Sequence, residues 1–202
     1  DDRCAGKTVA GLIVALLFSL LYVIHNRLID NPDTNNGLVE GNPLQENTQT
    51  PVIRWKGYEI NPVARYEIRA RVLSTKRYFF GREADLSPVD FVLGWGPMSD
   101  NTVAAKLHIS QSHRWYHYRW NDTPPIDPAM IVRTSANTHL IPADDEIKAC
   151  LLRVRRGEII TLKGYLINIS HPDGWKWRTS LLREDSGEGA CEVMWVSEVK
   201  AQ

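Results

Sequence analysis

The chain has 202 residues, and its 24 Lys plus Arg balance 24 Asp plus Glu, so the formal net charge is zero. This balance argues against a nucleic-acid binder, which usually carries a clear basic excess, and nucleic acid is therefore the least expected ligand. After an N-terminal region of about 50 residues without a globular pattern, the remaining length allows one domain with a core of its own.

The first predicted element is an apolar run from Val9 to Ile24, in which Ser19 is the only polar residue. An uncharged run of this length lies at the lower end of membrane-spanning helices and exceeds the core of a typical signal peptide. No small-x-small cleavage pattern follows it. Residues 1–29 are therefore predicted to be an uncleaved signal anchor, with residues 9–24 in the lipid bilayer.

The basic residues around this run predict its orientation. Arg3 and Lys7 precede the run, whereas Arg27 alone follows it closely. The more basic flank usually stays in the cytoplasm. The sequence therefore predicts a single-pass protein whose C-terminal domain lies outside the cytoplasm.

Residues 30–50 are predicted to be a flexible linker. They are rich in Asn, Asp, Thr, Gly and Pro, and Leu38 and Leu44 are their only two large apolar residues. Such a stretch buries too little surface to offset the entropy of ordering its backbone. We expect it to tether a globular domain at residues 51–202 to the membrane.

The globular part carries the patterns of several strands. Apolar and polar residues alternate over residues 66–72, which predicts a half-buried strand with Arg69 and Arg71 on its solvent face. Further strands are predicted at residues 114–120, 158–169 and 191–199. Gly164 interrupts one of them, as glycine does at a bulge or at the corner of a barrel.

Two helices are predicted between these strands. Residues 143–156 have acidic residues in the first turn, arginines in the last turn and Gly157 after it. A shorter helix is predicted from Ser99, as its N-cap, to Leu107. Several strands with one or two short helices predict an α+β domain with a small curved-sheet or barrel-like fold, OB-like or SH3-like.

Five phrases of the chain resemble an uncharacterised family of bacterial membrane-anchored proteins: GREADLSPVD, GWGPMSD, SANTH, WRTS and GEGACE. The resemblance covers most of residues 58–199. It implies an anchor followed by one domain, and a location in the bacterial inner membrane. With the predicted orientation, the domain is expected in the periplasm. It implies no activity.

Cys150 and Cys191 have two interpretations. Outside the cytoplasm disulfides persist, and a bridge from the predicted helix to the start of the last strand is geometrically reasonable. Closing a loop of about 40 residues would stabilise the fold by roughly 4 kcal/mol. The alternative is two separate buried thiols that pack as small apolar groups.

Cys191 is also a candidate nucleophile with His139 as its base, because a Gly-x-Gly-Ala-Cys turn can present a thiol. The carboxylates of Asp185, Glu188 and Glu192 argue against this role, since nearby negative charge disfavours a thiolate. An envelope cysteine hydrolase is thus an alternative function, and the sequence commits to no catalytic residue.

Aromatic and basic residues alternate along the strand predicted at residues 114–120. The candidate binding residues on it are Trp115, Tyr116, Tyr118, Arg119 and Trp120. Such a strand can stack sugar rings or nucleic-acid bases. The alternative is an ordinary strand with one aromatic face in the core, and residues 175–178 have the same ambiguity.

A metal site is not predicted from the three histidines near this strand, His108, His113 and His117. On a strand, His113 and His117 share a face but lie about 13 Å apart, too far to bind one ion. The phosphate-binding, dinucleotide-binding and zinc-protease motifs are absent from the sequence as well. Neither a metal nor a cofactor is predicted.

Together these patterns predict a membrane-anchored binding domain of the bacterial envelope, whose partner is an envelope protein or a glycan. One alternative is an envelope cysteine hydrolase that uses Cys191 and His139. The other is an OB-like nucleic-acid-binding module, which would require the opposite membrane topology.

Overall fold

A computed structural model describes residues 38–182 and 190–201 of the chain. The strands are β1 (Leu44–Asn47), β2 (Ile53–Trp55), β3 (Tyr58–Arg77), β4 (Val89–Gly94), β5 (His108–Ser112), β6 (Trp115–Arg119), β7 (Ser135–Pro142), β8 (Ile159–Ser170), β9 (Lys176–Arg178) and β10 (Glu192–Ala201). The α-helices are α1 (Arg82–Leu86), α2 (Asn101–Ala104), α3 (Pro128–Arg133) and α4 (Asp145–Leu151), and a 3-10 helix spans Gly96–Ser99. The fold is mixed α+β, mostly sheet with few helices.

Eight strands form one curled sheet, and β5 with β6 forms a separate hairpin. The 20-residue β3 pairs with β8 along one side, while β2, β1 and β4 follow one another along its other side. From β4 the sheet continues to β7, β10 and back to β8. β10 runs parallel to β7, and the other strand pairs of the described residues are antiparallel. The sheet is curled but is not a barrel, and β1, β2 and β9 extend it beyond β3, β4, β7, β10 and β8.

Gly164 lies at a tight approach between β8 and β10. A Cβ atom at this position would be 1.8 Å from the carbonyl oxygen of Trp195, so only glycine fits. The register of β10 against β8 also shifts between Val196 and Glu198, directly beside it. The predicted irregularity at Gly164 is confirmed, and it helps the sheet to curl.

The main hydrophobic core lies inside the curled sheet and is covered by α4. Leu151 of α4 is fully buried there, and Ile147 packs against the same cluster. The side chain of Asp144 caps the helix by accepting a 2.8 Å hydrogen bond from the backbone N–H of Ile147. α4 ends five residues before the predicted limit at residue 156, because the chain turns to place Val154 in the core.

The second predicted helix is shorter than expected and has a different cap. Asp100 caps α2, since its carboxylate accepts a 2.7 Å hydrogen bond from the backbone N–H of Thr102. Ser99, the predicted cap, is buried in the preceding 3-10 helix and donates to the carbonyl oxygen of Gly96. Both residues are N-cap types, so the local sequence could not distinguish them.

The prediction of a solvent-exposed Arg71 is wrong, since its exposed fraction is 2%. Its Nε donates to the carbonyl oxygen of Ser99 at 2.6 Å, and one terminal nitrogen donates to that of Gly157 at 2.8 Å. The register of β3 against β4 shifts between Val72 and Ser74, and residues 70–73 are all buried, so the alternation stops here. The two carbonyl groups offset part of the cost of burying the guanidinium.

The prediction of a flexible linker at residues 30–50 is wrong for the part that the structure describes. β1 lies within this segment and pairs with β3, and Val39 is fully buried. The backbone N–H of Val39 donates to Ser99 Oγ at 2.8 Å, and its carbonyl oxygen accepts from Gly96 at 2.8 Å. Main-chain pairing orders this polar stretch, and composition cannot detect such pairing.

The predicted membrane span at residues 9–24 lies outside the described residues. Within residues 38–182 and 190–201, no helix has both the length and the apolar character needed to cross a bilayer. The anchor therefore stays a prediction from the sequence.

Candidate functional site

The β5–β6 hairpin has a strained two-residue turn made of His113 and Arg114. Both residues have positive φ, +50° and +69° respectively. A two-residue hairpin turn of this kind normally uses Asn and Gly, because other residues lose about 1–2 kcal/mol each in the left-handed region. Such strain persists only where the surrounding contacts hold the turn in place.

The side chain of Arg114 supplies those contacts. One terminal nitrogen lies 2.6 Å from Asp90 Oδ1, and the other donates to the carbonyl oxygen of Ser87 at 3.0 Å. The guanidinium carbon is 3.7 Å from the ring centroid of Tyr78 and 5.5 Å from that of Trp177. Burial raises the pKa of Tyr78 to about 12. The negative charge of Asp90 adds a smaller increase, and the positive charge of Arg114 lowers the pKa in part.

Asp90 joins Arg114 to His139. It is completely buried in β4, and its Oδ1 also accepts a 3.2 Å hydrogen bond from Ser87 Oγ. Its Oδ2 lies 2.9 Å from His139 Nδ1, a distance typical of an ion pair although the two groups lack hydrogen-bond alignment. A buried carboxylate requires such compensation, so the turn, β4 and β7 are tied together electrostatically.

Asn137 ties the same turn to the start of β10. Its Nδ2 donates to the carbonyl oxygen of Arg114 at 2.9 Å and lies 3.6 Å from Cys191 Sγ. Its Oδ1 accepts from Gln111 Nε2 at 2.9 Å. The Cys191 thiol is 3.8 Å from the same Arg114 carbonyl oxygen. The backbone of Arg114 is therefore held as firmly as its side chain.

Of these residues, Arg114, His139 and Cys191 line a cleft of about 650 Å³ at the turn. Its walls come from the turn, α1, β7, β9 and Cys191. Lys176 and Arg178 are exposed at its mouth, and neither forms an ion pair within the described part of the chain. Glu83 is the one carboxylate among the lining residues that the structure describes. Because Asp90 already balances Arg114, cationic side chains outnumber carboxylates among these described lining residues.

Aromatic rings continue from this cleft along β9 to the start of β3. The ring of His139 is 5.0 Å from that of Trp177, which is 6.0 Å from that of Trp175. The ring of Tyr58 follows at 5.8 Å. Of these rings, those of His139 and the half-buried Trp177 line the cleft, so its cations lie beside an aromatic wall.

The structure divides the five residues that were predicted to form a binding surface. Trp115 is 36% exposed and lines the cleft. Tyr116, Tyr118 and Trp120 instead pack against a second hydrophobic cluster, and burial raises the pKa of both tyrosines. Arg119 is exposed at the opposite end of the hairpin. One face of β6 is therefore core, and only Trp115 contributes to the site.

Of the two interpretations of Cys150 and Cys191, the structure agrees with separate thiols, because no disulfide joins the two residues. β10 runs parallel to β7, so Cys191 lies beside the first residues of β7, whereas α4 begins after its last residue. The Cys150 sulfur instead contacts a guanidinium nitrogen of Arg153 at 3.4 Å. The two sulfur atoms thus have separate contacts, since that of Cys191 lies beside the carbonyl oxygen of Arg114.

Both thiols are expected to react with a maleimide without prior reduction. Each is partly exposed, and neither is bonded to the other. The measurement is mass tagging of the full chain carrying Cys4→Ser, purified without reductant. A reduced sample is the control and should gain no further tag. Tagging that occurs only after reduction would contradict the structure.

The described residues contain no group of three His, Cys, Asp or Glu side chains placed to hold a metal ion. His108 and His117 instead face Asn121 and Ser112, at 3.1 and 3.3 Å respectively. His113 lies in the strained turn at the cleft.

Asp90 and Asn137 belong to the site but were not predicted from the sequence. A signal for Asp90 was present, because a lone carboxylate inside the apolar strand Val-Asp-Phe-Val-Leu is typical of a buried, paired charge. Asn137 gave no signal of its own. Four of the five phrases that carry the family resemblance nevertheless contribute residues to this site. These residues are Glu83, Asp90, Asn137, His139, Trp177, Arg178 and Cys191.

Comparison of the chain with protein-family models, with curated proteins and with solved structures finds no match.

Proposed function

We propose that this chain is a membrane-anchored binding protein of the bacterial envelope, with residues 9–24 in the inner membrane and the domain in the periplasm. The cleft at the β5–β6 turn supports a binding role. It combines Lys176 and Arg178 at its mouth with Trp115 and Trp177 on its walls. This composition suits an anionic ligand that also presents rings or apolar groups, such as an acidic glycan or an acidic segment of an envelope protein.

We propose further that the fold is OB-like. The cyclic pairing of β3, β4, β7, β10 and β8, with α4 between β7 and β8, supports this fold. OB folds are five-stranded, partly open barrels that bind ligands on the face of the second and third strands, between the loops after the first and fourth. In this chain β4 and β7 correspond to the second and third strands of an OB fold. The loops after β3 and β8 correspond to its two ligand-binding loops. The cleft lies between them.

The cleft is expected to retain the full chain on isolated peptidoglycan, the acidic glycan that serves as the first probe. Lys176→Glu with Arg178→Glu should weaken this retention by roughly tenfold or more, because the substitution places two negative charges against an anionic ligand. The measurement is co-sedimentation at two salt concentrations. Retention should fall as the salt concentration rises, because the contact is partly electrostatic.

The matched control is Lys106→Glu with Lys200→Glu, which reverses two exposed cations outside the cleft. It should leave retention within about twofold of the unaltered chain, since charges beyond a Debye length are screened. A p-benzoylphenylalanine at position 115 tests the protein partner by crosslinking in cells. Equal loss in both charge-reversed chains would overturn the proposal. Cleft-dependent binding of a thymidine oligonucleotide would replace the envelope partner by nucleic acid.

An envelope cysteine hydrolase is the second candidate, and one observation favours it. Cys191 and His139 line the same cleft, and Asp90 lies behind His139 as an orienting carboxylate would. Against this role, His139 is buried and the Cys191 thiol lies beside Asn137 and a backbone carbonyl oxygen. If the hydrolase is correct, iodoacetamide should modify Cys191 at least roughly tenfold faster than Cys150, and His139→Gln should remove the difference.

A further inference from the structure

The loop after β3 exposes two adjacent phenylalanines at its tip. The exposed fraction is 74% for Phe79 and 93% for Phe80. Phenylalanine is among the residues most often buried in soluble domains, so two neighbouring exposed rings indicate a surface that meets another phase or molecule. The cleft described above does not include them.

A groove of about 650 Å³ lies beside this tip. Three cationic side chains line it, from Lys56, Arg77 and Lys148, against the single carboxylate of Asp85. Phe79 of the tip itself lines the groove, and Pro88 adds to its apolar surface. The groove therefore has apolar surface with cationic walls.

One more cation lies near the tip, and one of the groove cations is held in place by a hydrogen bond. Lys76, the neighbour of Arg77 at the end of β3, is exposed as well. The Arg77 guanidinium donates to the carbonyl oxygen of Leu152, which fixes its position at the groove. Cations next to exposed aromatic rings are typical of protein surfaces that rest on an anionic membrane.

We propose that the Phe79–Phe80 tip inserts into an anionic lipid surface while the groove beside it receives a lipid phosphate. This inference rests on the membrane anchoring in the proposed function. The cations of the groove match the charge of the lipid, and aromatic side chains are enriched at membrane interfaces. A tip of two rings is also far smaller than the patch that a stable protein–protein contact needs, whereas a few inserted side chains are enough at a lipid surface.

The length of the connecting chain is compatible with this contact. Thirteen residues, 25–37, separate the end of the predicted span from residue 38, where the described part begins, and a chain of this length can reach at most about 47 Å. The domain therefore stays close enough to the bilayer for a surface loop to touch it.

The test uses the full chain reconstituted into vesicles, with p-benzoylphenylalanine in place of Phe80. The probe vesicles contain phosphatidylcholine alone or an equal mixture with phosphatidylglycerol. We expect a lipid photoadduct at position 80, stronger in the phosphatidylglycerol vesicles. Lys76→Gln and Lys148→Gln should each weaken it by roughly fivefold, because each removes a cation near the lipid. The same photoreactive residue in place of Trp115 is the control and should give little lipid adduct.

The proposal would be overturned by any of three results. These are equal lipid adducts at positions 80 and 115, no adduct at position 80, and an adduct to protein instead of lipid. Phe79→Ser with Phe80→Ser checks that the effect is local, and it should leave urea unfolding unchanged because both rings are exposed. Retention on peptidoglycan should also persist in this variant. A failure of the lipid contact can thus be told apart from a failure of the cleft.

Discussion

Asp90→Ala is expected to lower the free energy of unfolding by about 3–5 kcal/mol, because it leaves the Arg114 guanidinium mostly buried without its counter-charge. Asp90 itself is fully buried, and the Arg114 side chain is 16% exposed. The substitution also removes the carboxylate that faces His139. The measurement is urea unfolding followed by tryptophan fluorescence.

A double-mutant cycle separates the ion pair from the rest of the network. Arg114→Ala alone should cost a similar amount, since it leaves the carboxylate of Asp90 buried. The double variant should cost at least about 1 kcal/mol less than the sum of the two, because the second substitution removes an already unpaired charge. Arg119→Ala, on the exposed face of the same hairpin, is the control and should change stability by about 0.5 kcal/mol or less. Additive losses would mean that the two side chains are not coupled.

Gly164→Ala is the second substitution with a large expected effect, a loss above about 3 kcal/mol or a failure to fold. The new methyl group would lie 1.8 Å from the carbonyl oxygen of Trp195 and 3.3 Å from the backbone nitrogen of Ser197. Both are main-chain atoms, so relief requires β8 and β10 to separate. Thermal unfolding by circular dichroism measures the result.

Gly174→Ala is the matched control for this substitution. Gly174 has a positive φ of +92°, but a Cβ there would meet no atom within 4 Å. The expected cost is about 1–2 kcal/mol from backbone strain alone. If Gly164→Ala were no more costly than Gly174→Ala, the tight approach between the two strands would be refuted.

Part of the candidate site could be predicted from the sequence, and part could not. Trp115 was recognised from the alternation of aromatic and basic residues, and it does line the cleft. The same pattern also selected Tyr116 and Tyr118, which lie on the opposite face of β6 and pack in the core. Alternation along one strand separates its two faces, but it does not say which face meets the rest of the molecule.

Arg71 shows the same limit within the fold. Its position in the alternation predicted exposure, yet its side chain is buried. Local pattern assumes that a strand keeps one partner surface along its whole length. β3 changes partners, from β1 and β2 to β4 along one side, so the assumption fails at Arg71, where the pairing with β4 begins.

By itself the sequence determined the α+β class, the main positions of β3, β6, β8 and β10, and the special role of Gly164. These follow from side-chain period and backbone freedom, which are properties of neighbouring residues. Only the tertiary structure decided which strands pair, which charges are buried and where the cleft forms. Asp90 and Arg114 are 24 residues apart, and Asn137 and Cys191 are 54 apart. Contacts at such separations depend on the whole chain closing correctly, and no local pattern encodes them.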